Sequence, residues 1–213
     1  MTQGEILHLA GERINEVYFP IDCLLSMTIT MSDGRTIETG LAGNRDVLGV
    51  NGFMSSTETN QTEYIVQISG RAFKTSAQIM RSMFLKNLEL RTLMLCHTQV
   101  LIAQLAQTVA CNGLHSLEQR MSRWLLEARE RTSFNKLYLT HEFISNMLGV
   151  RRAGVTQCAK QFQNRGIIQY SRGHIEIIDR QGLEDSACEC FWVVKQESDR
   201  LLGISDRLTA NDR

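Results

Sequence analysis

Arg151 and Arg152 stand side by side just after a short apolar segment and Gly149, within LTHEFISNMLGVRRAGVTQCAKQFQNRGII, residues 139–168. The spacing around them predicts two helices joined by a tight turn. Thr140 suits the N-cap of the first helix, and Leu139 and Ile144 stand at hydrophobic-staple positions. Phe143, Ile144, Met147 and Leu148 line its inner face, and Gly149 sits where a helix ends in a left-handed residue. In the second helix Val155, Cys158, Ala159 and Phe162 recur at i, i+3, i+4 and i+7, a narrow buried stripe. The opposite face shows Arg151, Arg152, Ala153, Thr156, Gln157 and Lys160, with cations, small side chains and an amide but no carboxylate.

That face suits the major groove of DNA. Arginine can contact guanine O6 and N7 in bidentate fashion, and glutamine can do the same at adenine N6 and N7. Lys160 and one arginine can neutralise phosphates. Ala153 and Gly154 allow close approach of the helix N-terminus, whose free N–H groups favour an anion. Two cations there oppose the helix dipole, and an arriving polyanion removes that penalty. Downstream, IIQYSRGHIEII alternates about Ser171-Arg172-Gly173, which predicts a β-hairpin with Ile168, Tyr170, Ile175 and Ile177 as its apolar members. Arg172 and His174 near its tip can reach the sugar-phosphate backbone, or serve only as exposed turn residues.

These residues need a scaffold. Residues 5–75 read as short strands: EVYFP, CLLSMTITMSDGRTIETGLAG with an Asp33-Gly34 hairpin turn, and EYIVQISGRAFKTS after the polar loop SSTETNQT. They predict a small antiparallel barrel or sandwich. AQIMRSMFL reads as a short helix. NLELRTLMLCHTQVLIAQLAQTVACN then continues for roughly 39 Å if helical, with Leu90, Leu93, Met94, Leu101, Leu105 and Val109 at three- and four-residue spacing. Its wide apolar surface calls for two packing partners, the β unit and a second copy of the same helix. Met94, Leu101 and Thr108, seven apart, with His97 and Gln104 on the other seam position, are the expected coiled-coil contacts; Leu90 and Leu105 extend them. One long core helix of a monomer is the alternative. Gly113 breaks the helix, and Ser116 and Gln119 form a capping box for the next, whose buried face is Leu117, Met121, Trp124, Leu125 and Ala128.

The 213 residues hold 23 basic and 23 acidic side chains and are 43% hydrophobic, a globular composition. The balance is uneven: residues 113–180 carry 11 Lys/Arg against 6 Asp/Glu, while both flanks are net acidic. A basic middle suggests a local anionic partner. No uninterrupted apolar run approaches the roughly 18–20 residues of a membrane span, and the start lacks a secretory pattern. No membrane association is expected. The six cysteines read as free buried thiols of a reducing cytoplasm.

The segment LTHEFISNMLGVRRAGVTQCAKQFQNRGIIQYSRGHIEI resembles the winged helix-turn-helix of the Crp/Fnr family of bacterial transcription regulators. The long helix resembles the family's dimerisation helix, and EVYFP, the DG hairpin and NRDVLGV resemble its cyclic-nucleotide-binding-type β-roll. SLEQRMSRWLL and LEDSACECF look like a branch distinct from the cAMP receptor. The resemblance implies an α+β fold: an antiparallel β-roll (a double-stranded β-helix) over 1–84, the dimerisation helix over 85–113, the winged helix-turn-helix over 114–180 and a helical tail over 181–213. It places Arg152, Ala153 and Gln157 at the base-reading positions, and Arg151, Thr156, Lys160 and Arg172 on the DNA backbone. Ala153 replaces a frequent glutamate and Gln157 a frequent arginine, so the operator differs from that of the cAMP receptor. The family also implies a homodimer on a palindromic site and contact with RNA polymerase.

The sensor departs from the family. Arg45-Asp46, with Gly49 nearby, replaces the Gly-Glu pair that holds ribose, and the place of the Arg-Ser pair falls near Glu63 with no arginine. Those four residues are the candidate effector pocket, with cAMP not expected there because a carboxylate opposes an anion. His97 could ligate haem, but a lone helix histidine reads as structural. Cys188-x-Cys190 could bind metal or sense oxidation; with no second ligand pair near it in sequence, no metal and no cofactor are expected. Family members usually carry a further helix before the roll, whereas here the β pattern begins by about Glu5. No phosphate loop, dinucleotide fingerprint, HExxH or Gly-x-Ser-x-Gly occurs, so no enzyme is expected. The competing functional reading is a small-molecule or redox sensor that acts mainly through protein partners.

Overall fold

A computed structural model describes residues 1–55, 59–132 and 134–203. Part of the polar loop expected at 55–62 and the end of the tail lie outside them. The first six strands are β1 (Ile6–His8), β2 (Glu16–Pro20), β3 (Leu24–Thr30), β4 (Thr36–Ala42), β5 (Glu63–Ile68) and β6 (Ala72–Ser76), with the single helical turn α1 (Asn51–Met54) between β4 and β5. They form a four-stranded sheet in the order β1-β5-β3-β4 and a two-stranded β2-β6 sheet, all antiparallel. Tyr18 of the small sheet and Leu25, Met27, Tyr64 and Val66 of the large one share one buried cluster. The β3–β4 turn holds Gly34 at φ 82°, where glycine meets little steric cost.

Helix α2 (Ala77–Lys86) is capped by Ser76 and leads through Asn87 into α3 (Leu88–Leu114). After a two-residue junction comes α4 (Leu117–Thr132). The expected capping box is present: Ser116 Oγ accepts from Gln119 N at 3.3 Å, and Gln119 Oε1 accepts from Ser116 N at 3.0 Å. The remaining elements are β7 (Lys136–Tyr138), α5 (His141–Leu148), α6 (Arg152–Asn164), β8 (Ile168–Ser171), β9 (His174–Ile177), α7 (Arg180–Ser186) and α8 (Cys190–Leu202). The last three strands make a sheet in the order β7-β9-β8. Helix α8 does not trail away; it returns to pack along α3.

The largest core crosses the line between roll and C-terminal half. Leu24, Leu41 and Ile68 of the roll join Trp124, Leu125, Ile144, Phe162 and Ile175 in one buried cluster. Close backbone approach makes this possible: a Cβ on Gly43 would come within 2.6 Å of the Arg131 carbonyl oxygen.

Helix α3 departs from expectation twice. By length and composition it could cross a membrane, a property that an uninterrupted-run criterion overlooks because Thr, His and Gln interrupt its apolar residues. Much of the expected dimer seam is also covered by the chain's own roll. Met94, His97 and Gln104 are 3–4% exposed within a single chain, and Leu90, Leu101, Leu105 and Thr108 are half-buried. Met94 packs with Phe53 and Phe84, and His97 Nε2 lies 3.1 Å from Val47 N and 3.0 Å from Val47 O, its tautomer deciding which of the two it bonds. The Gln104 amide oxygen, in the orientation that satisfies its neighbours, accepts from Leu41 N and from Arg131 Nη2 at 3.2 and 3.0 Å. The polar residues that looked like register-setting seam positions are instead partners of roll backbone and of a core arginine.

Candidate nucleic-acid interface

Each local signal in the opening segment has its structural counterpart. Thr140 Oγ1 accepts from Phe143 N at 3.1 Å and starts α5. Gly149 ends it at φ 62°, and Val150 N donates to Ser145 O at 2.9 Å to close the turn. Helix α6 is held from below by Val155, Cys158, Ala159 and Phe162, all 5% exposed or less. Burying Phe162 alone contributes roughly 1.5–3 kcal/mol, which anchors the helix without using its outer face. Burial also pushes the Cys158 thiol up to about 12, so it is an inert packing group there.

The outer face is free of protein cover. Arg151, Arg152, Ala153, Thr156, Gln157 and Lys160 are all exposed. Arg151 occupies the N-cap without a side-chain capping bond, and the first turn of α6 has no acidic residue. Gly154 N already donates to Arg151 O at 2.9 Å, which leaves the N–H groups of Arg152 and Ala153 without an intrahelical or capping acceptor, and two guanidinium groups flank them. The combination suits phosphate oxygens.

Two features modify the sequence picture. The face is not carboxylate-free, because α5 supplies Glu142, whose Oε2 lies 3.9 Å from Arg152 Nη1. With side chains 69% and 71% exposed, that pair is weak and yields to a phosphate or base. Thr156 Oγ1 donates to Arg152 O and also lies 3.0 Å from His141 Nδ1, so its hydroxyl is already occupied. Burial and then the neighbouring Arg152 lower the pKa of His141, which keeps that imidazole neutral beside the cationic face.

The hairpin β8–β9 projects beside α6 as a wing. Its tip holds Arg172 at φ 48° and Gly173 at φ 83°. Arg172 is exposed, whereas His174 is partly covered, its ring 4.1 Å from that of Tyr138. Sequence reading missed β7, the third strand of this sheet, although Leu137 and Leu139, both fully buried, alternate with Tyr138 as a strand would. His141 stacks on Tyr170 at 4.0 Å and joins α5 to the wing.

The candidate effector residues do not converge. Asp46 pairs with Arg131 at 3.2 Å and accepts from Gly43 N at 2.8 Å. Arg45 lies at the surface, 3.8 Å from Asp199 of α8. Gly49, at φ 94°, packs on the Glu16 carbonyl, and Glu63 accepts from Thr30 Oγ1 at 3.1 Å on another edge of the roll. The expectation of one pocket built from these four is corrected: Asp46 is held by an arginine of α4 that lies 85 positions later in sequence. Between the roll and α3 there is a cavity of about 10 Å³, lined by Met27, His97, Leu101 and Gln104 among others.

Residues 119–186 match the family model of the Crp-like helix-turn-helix domain. Among solved structures, FixK2 from Bradyrhizobium japonicum superposes with a TM-score of 0.74 at 17% identity, covering 87% of this chain and 94% of its own. A CRP-family transcriptional regulator from Thermus thermophilus gives 0.73 at 16% identity, covering 88% and 95%. A CRP/FNR-family regulator from the same organism gives 0.66 at 18% identity, covering 88% and 96%. No curated protein matches the chain in sequence. The fold is that of Crp/Fnr-type regulators, and the two Thermus thermophilus neighbours are transcriptional regulators, not enzymes.

Proposed function

From a chain with a Crp-like helix-turn-helix domain on the Crp/Fnr fold, we infer a sequence-specific transcription regulator that binds a palindromic operator as a homodimer. The observation that carries this reading is the outer face of α6: Arg151, Arg152, Gln157 and Lys160 exposed around an uncapped helix N-terminus. Arg152, Ala153 and Gln157 read base edges, while Arg151, Lys160 and Arg172 hold phosphates. Thr156, whose hydroxyl donates to Arg152 O, lies on the same face beside the DNA backbone.

The dimer forms through α3, on a face one step round from the expected seam. Leu88, Leu95, Ile102 and Val109 recur every seven residues and are 66%, 49%, 60% and 75% exposed. Thr92, Gln99, Ala106 and Gly113 alternate with them and are exposed as well. This four–three alternation is a heptad seam. A second copy, not lipid, covers it: the same helix buries Met94, His97 and Gln104 on its own roll, and a two-fold pair sets two α6 helices about one DNA turn, roughly 34 Å, apart. The protein works in the cytoplasm with its DNA, and RNA polymerase is its further partner there.

The roll does not bind cAMP. Arg131 already engages the Asp46 carboxylate, and the cavity beside His97 and Gln104 is about 10 Å³.

A binding selection from random duplexes with the full-length protein, followed by mobility shifts across a salt series, tests the reading. Enrichment of an inverted repeat, with affinity falling steeply as salt rises, is the expected result. Absence of any shift at low salt would remove DNA from the function and favour a sensor that acts through protein partners.

A further inference from the structure

Cys111 and His115 lie one turn apart at the end of α3, and Cys188 and Cys190 flank Glu189 at the start of α8. The fold brings these two pairs together, with one ligand atom from each residue within 4.8 Å of all the others. We propose that Cys111, His115, Cys188 and Cys190 form a tetrahedral site for a single zinc-class divalent ion that fastens α8 to the α3–α4 junction. The proposal does not depend on the DNA-binding reading.

The distances suit one ion. A tetrahedral centre with Zn–S near 2.3 Å and Zn–N near 2.0–2.1 Å sets sulfurs about 3.8 Å apart and sulfur to nitrogen about 3.5 Å apart. Here Cys111 Sγ lies 3.5 Å from Cys188 Sγ, and Cys190 Sγ lies 3.5 Å from His115 Nδ1. Three sulfurs and one imidazole select a soft or borderline ion over magnesium or calcium. Four protein ligands leave no open position, so the site is structural and not hydrolytic.

The surroundings are those of a ligand set as well. Glu189 Oε1 lies 3.3 Å from His115 Nε2; a carboxylate there keeps the proton on Nε2 and turns the Nδ1 lone pair toward the sulfurs. Gln107 Nε2 donates to Cys190 Sγ at 3.1 Å. Three thiolates around a divalent ion leave one negative charge, and the Gln107 amide donor is aimed at one of its sulfurs. The three cysteines are 2% exposed or less and form a cluster of their own, apart from the larger cores. Each thiol releases its proton to solvent as the ion enters. Because His115 lies in the two-residue junction between α3 and α4, the ion would fix the angle at which the C-terminal half leaves the long helix.

Full-length protein, purified without oxygen, chelator or polyhistidine tag, should contain one zinc per chain by elemental mass spectrometry. Replacing the metal with Co²⁺ should give the strong visible bands and the thiolate-to-cobalt charge transfer of a tetrahedral thiolate site. C188S and C190S should lose the metal, H115C should keep it, and C23S, altering a buried thiol elsewhere, should have no effect. Should the serine variants fail to fold, the cobalt spectrum of the unmutated chain decides. Folded, metal-free protein that shows no thiolate–cobalt band overturns the proposal, as does a Cys111–Cys188 disulfide in the anaerobic preparation or a metal content indifferent to C188S and C190S.

Discussion

Trp124 Nε1 donates to Glu38 Oε1 at 2.7 Å and ties the first helix of the C-terminal half to the β3–β4 hairpin of the roll. The Ser26 hydroxyl bonds to the other oxygen of the same carboxyl group. Burial, only partly opposed by these two hydrogen bonds, pushes Glu38 up to about 8. A neutral carboxylic acid thus sits at the joint between the roll and the helix-turn-helix.

That joint makes stability depend on pH. Below the ordinary value of 4.5 the group is protonated folded or unfolded and contributes no slope. Between there and about 8, the unfolded chain ionises while the folded one keeps its proton. Stability therefore falls as pH rises through that window and levels off above it. Urea unfolding at about pH 5 and about pH 9 should show this loss in the native chain and a much smaller one in Glu38→Gln, which keeps an acceptor for Trp124. An equal loss in both would place the titration elsewhere.

Arg152→Ala should relax sequence preference and weaken the cognate site by about 1–3 kcal/mol. Lys160→Ala should weaken cognate and scrambled duplexes alike and reduce the salt slope by about one. Titrations of both variants on both duplexes separate base reading from phosphate binding. Identical behaviour of the two variants would take Arg152 off the bases.

The phase of the proposed dimer seam is testable by charge. Ile102→Glu places a carboxylate in the middle of the exposed heptad and should convert dimer to monomer in sedimentation at micromolar protein. His97→Ala, on the face against the roll, should lower the melting temperature and leave the mass unchanged, because the buried Val47 backbone loses its side-chain hydrogen-bond partner. If His97→Ala dissociates the protein and Ile102→Glu does not, the seam lies on the other face.

Gly149→Ala tests the turn that aims α6. A left-handed residue with a side chain costs about 1–2 kcal/mol, and the new Cβ would stand 2.9 Å from Ile37 Cδ1 of β4. Thermal unfolding should record at least that loss. A neutral result would mean that the hairpin yields easily and that its contact with the helix-turn-helix is loose.

Local signals were legible wherever a few neighbouring residues decide the structure. Thr140, Gly149 and the Val155–Phe162 stripe define the helix-turn-helix within a window of about two turns each, and Ser116 with Gln119 starts α4 the same way. Short-range hydrogen bonds and steric limits act along the chain, so the chain displays them. Strand β7 was missed because three residues carry too little alternation to stand out.

What the sequence by itself determined was therefore period, capping and charge: a helix-turn-helix with a cationic outer face, a wing, and a long helix apolar enough to need two partners. Tertiary structure alone decided which side of α3 meets the roll. Apolar residues nearly encircle that helix, so periodicity fixes the repeat but not its phase, and buried His97 and Gln104 become comprehensible only when Val47, Leu41 and Arg131 supply their partners. The same holds for Cys111 and Cys188, 77 positions apart in the chain and 3.5 Å apart in space. Packing between distant segments sets such distances, and no local pattern of residue types encodes them.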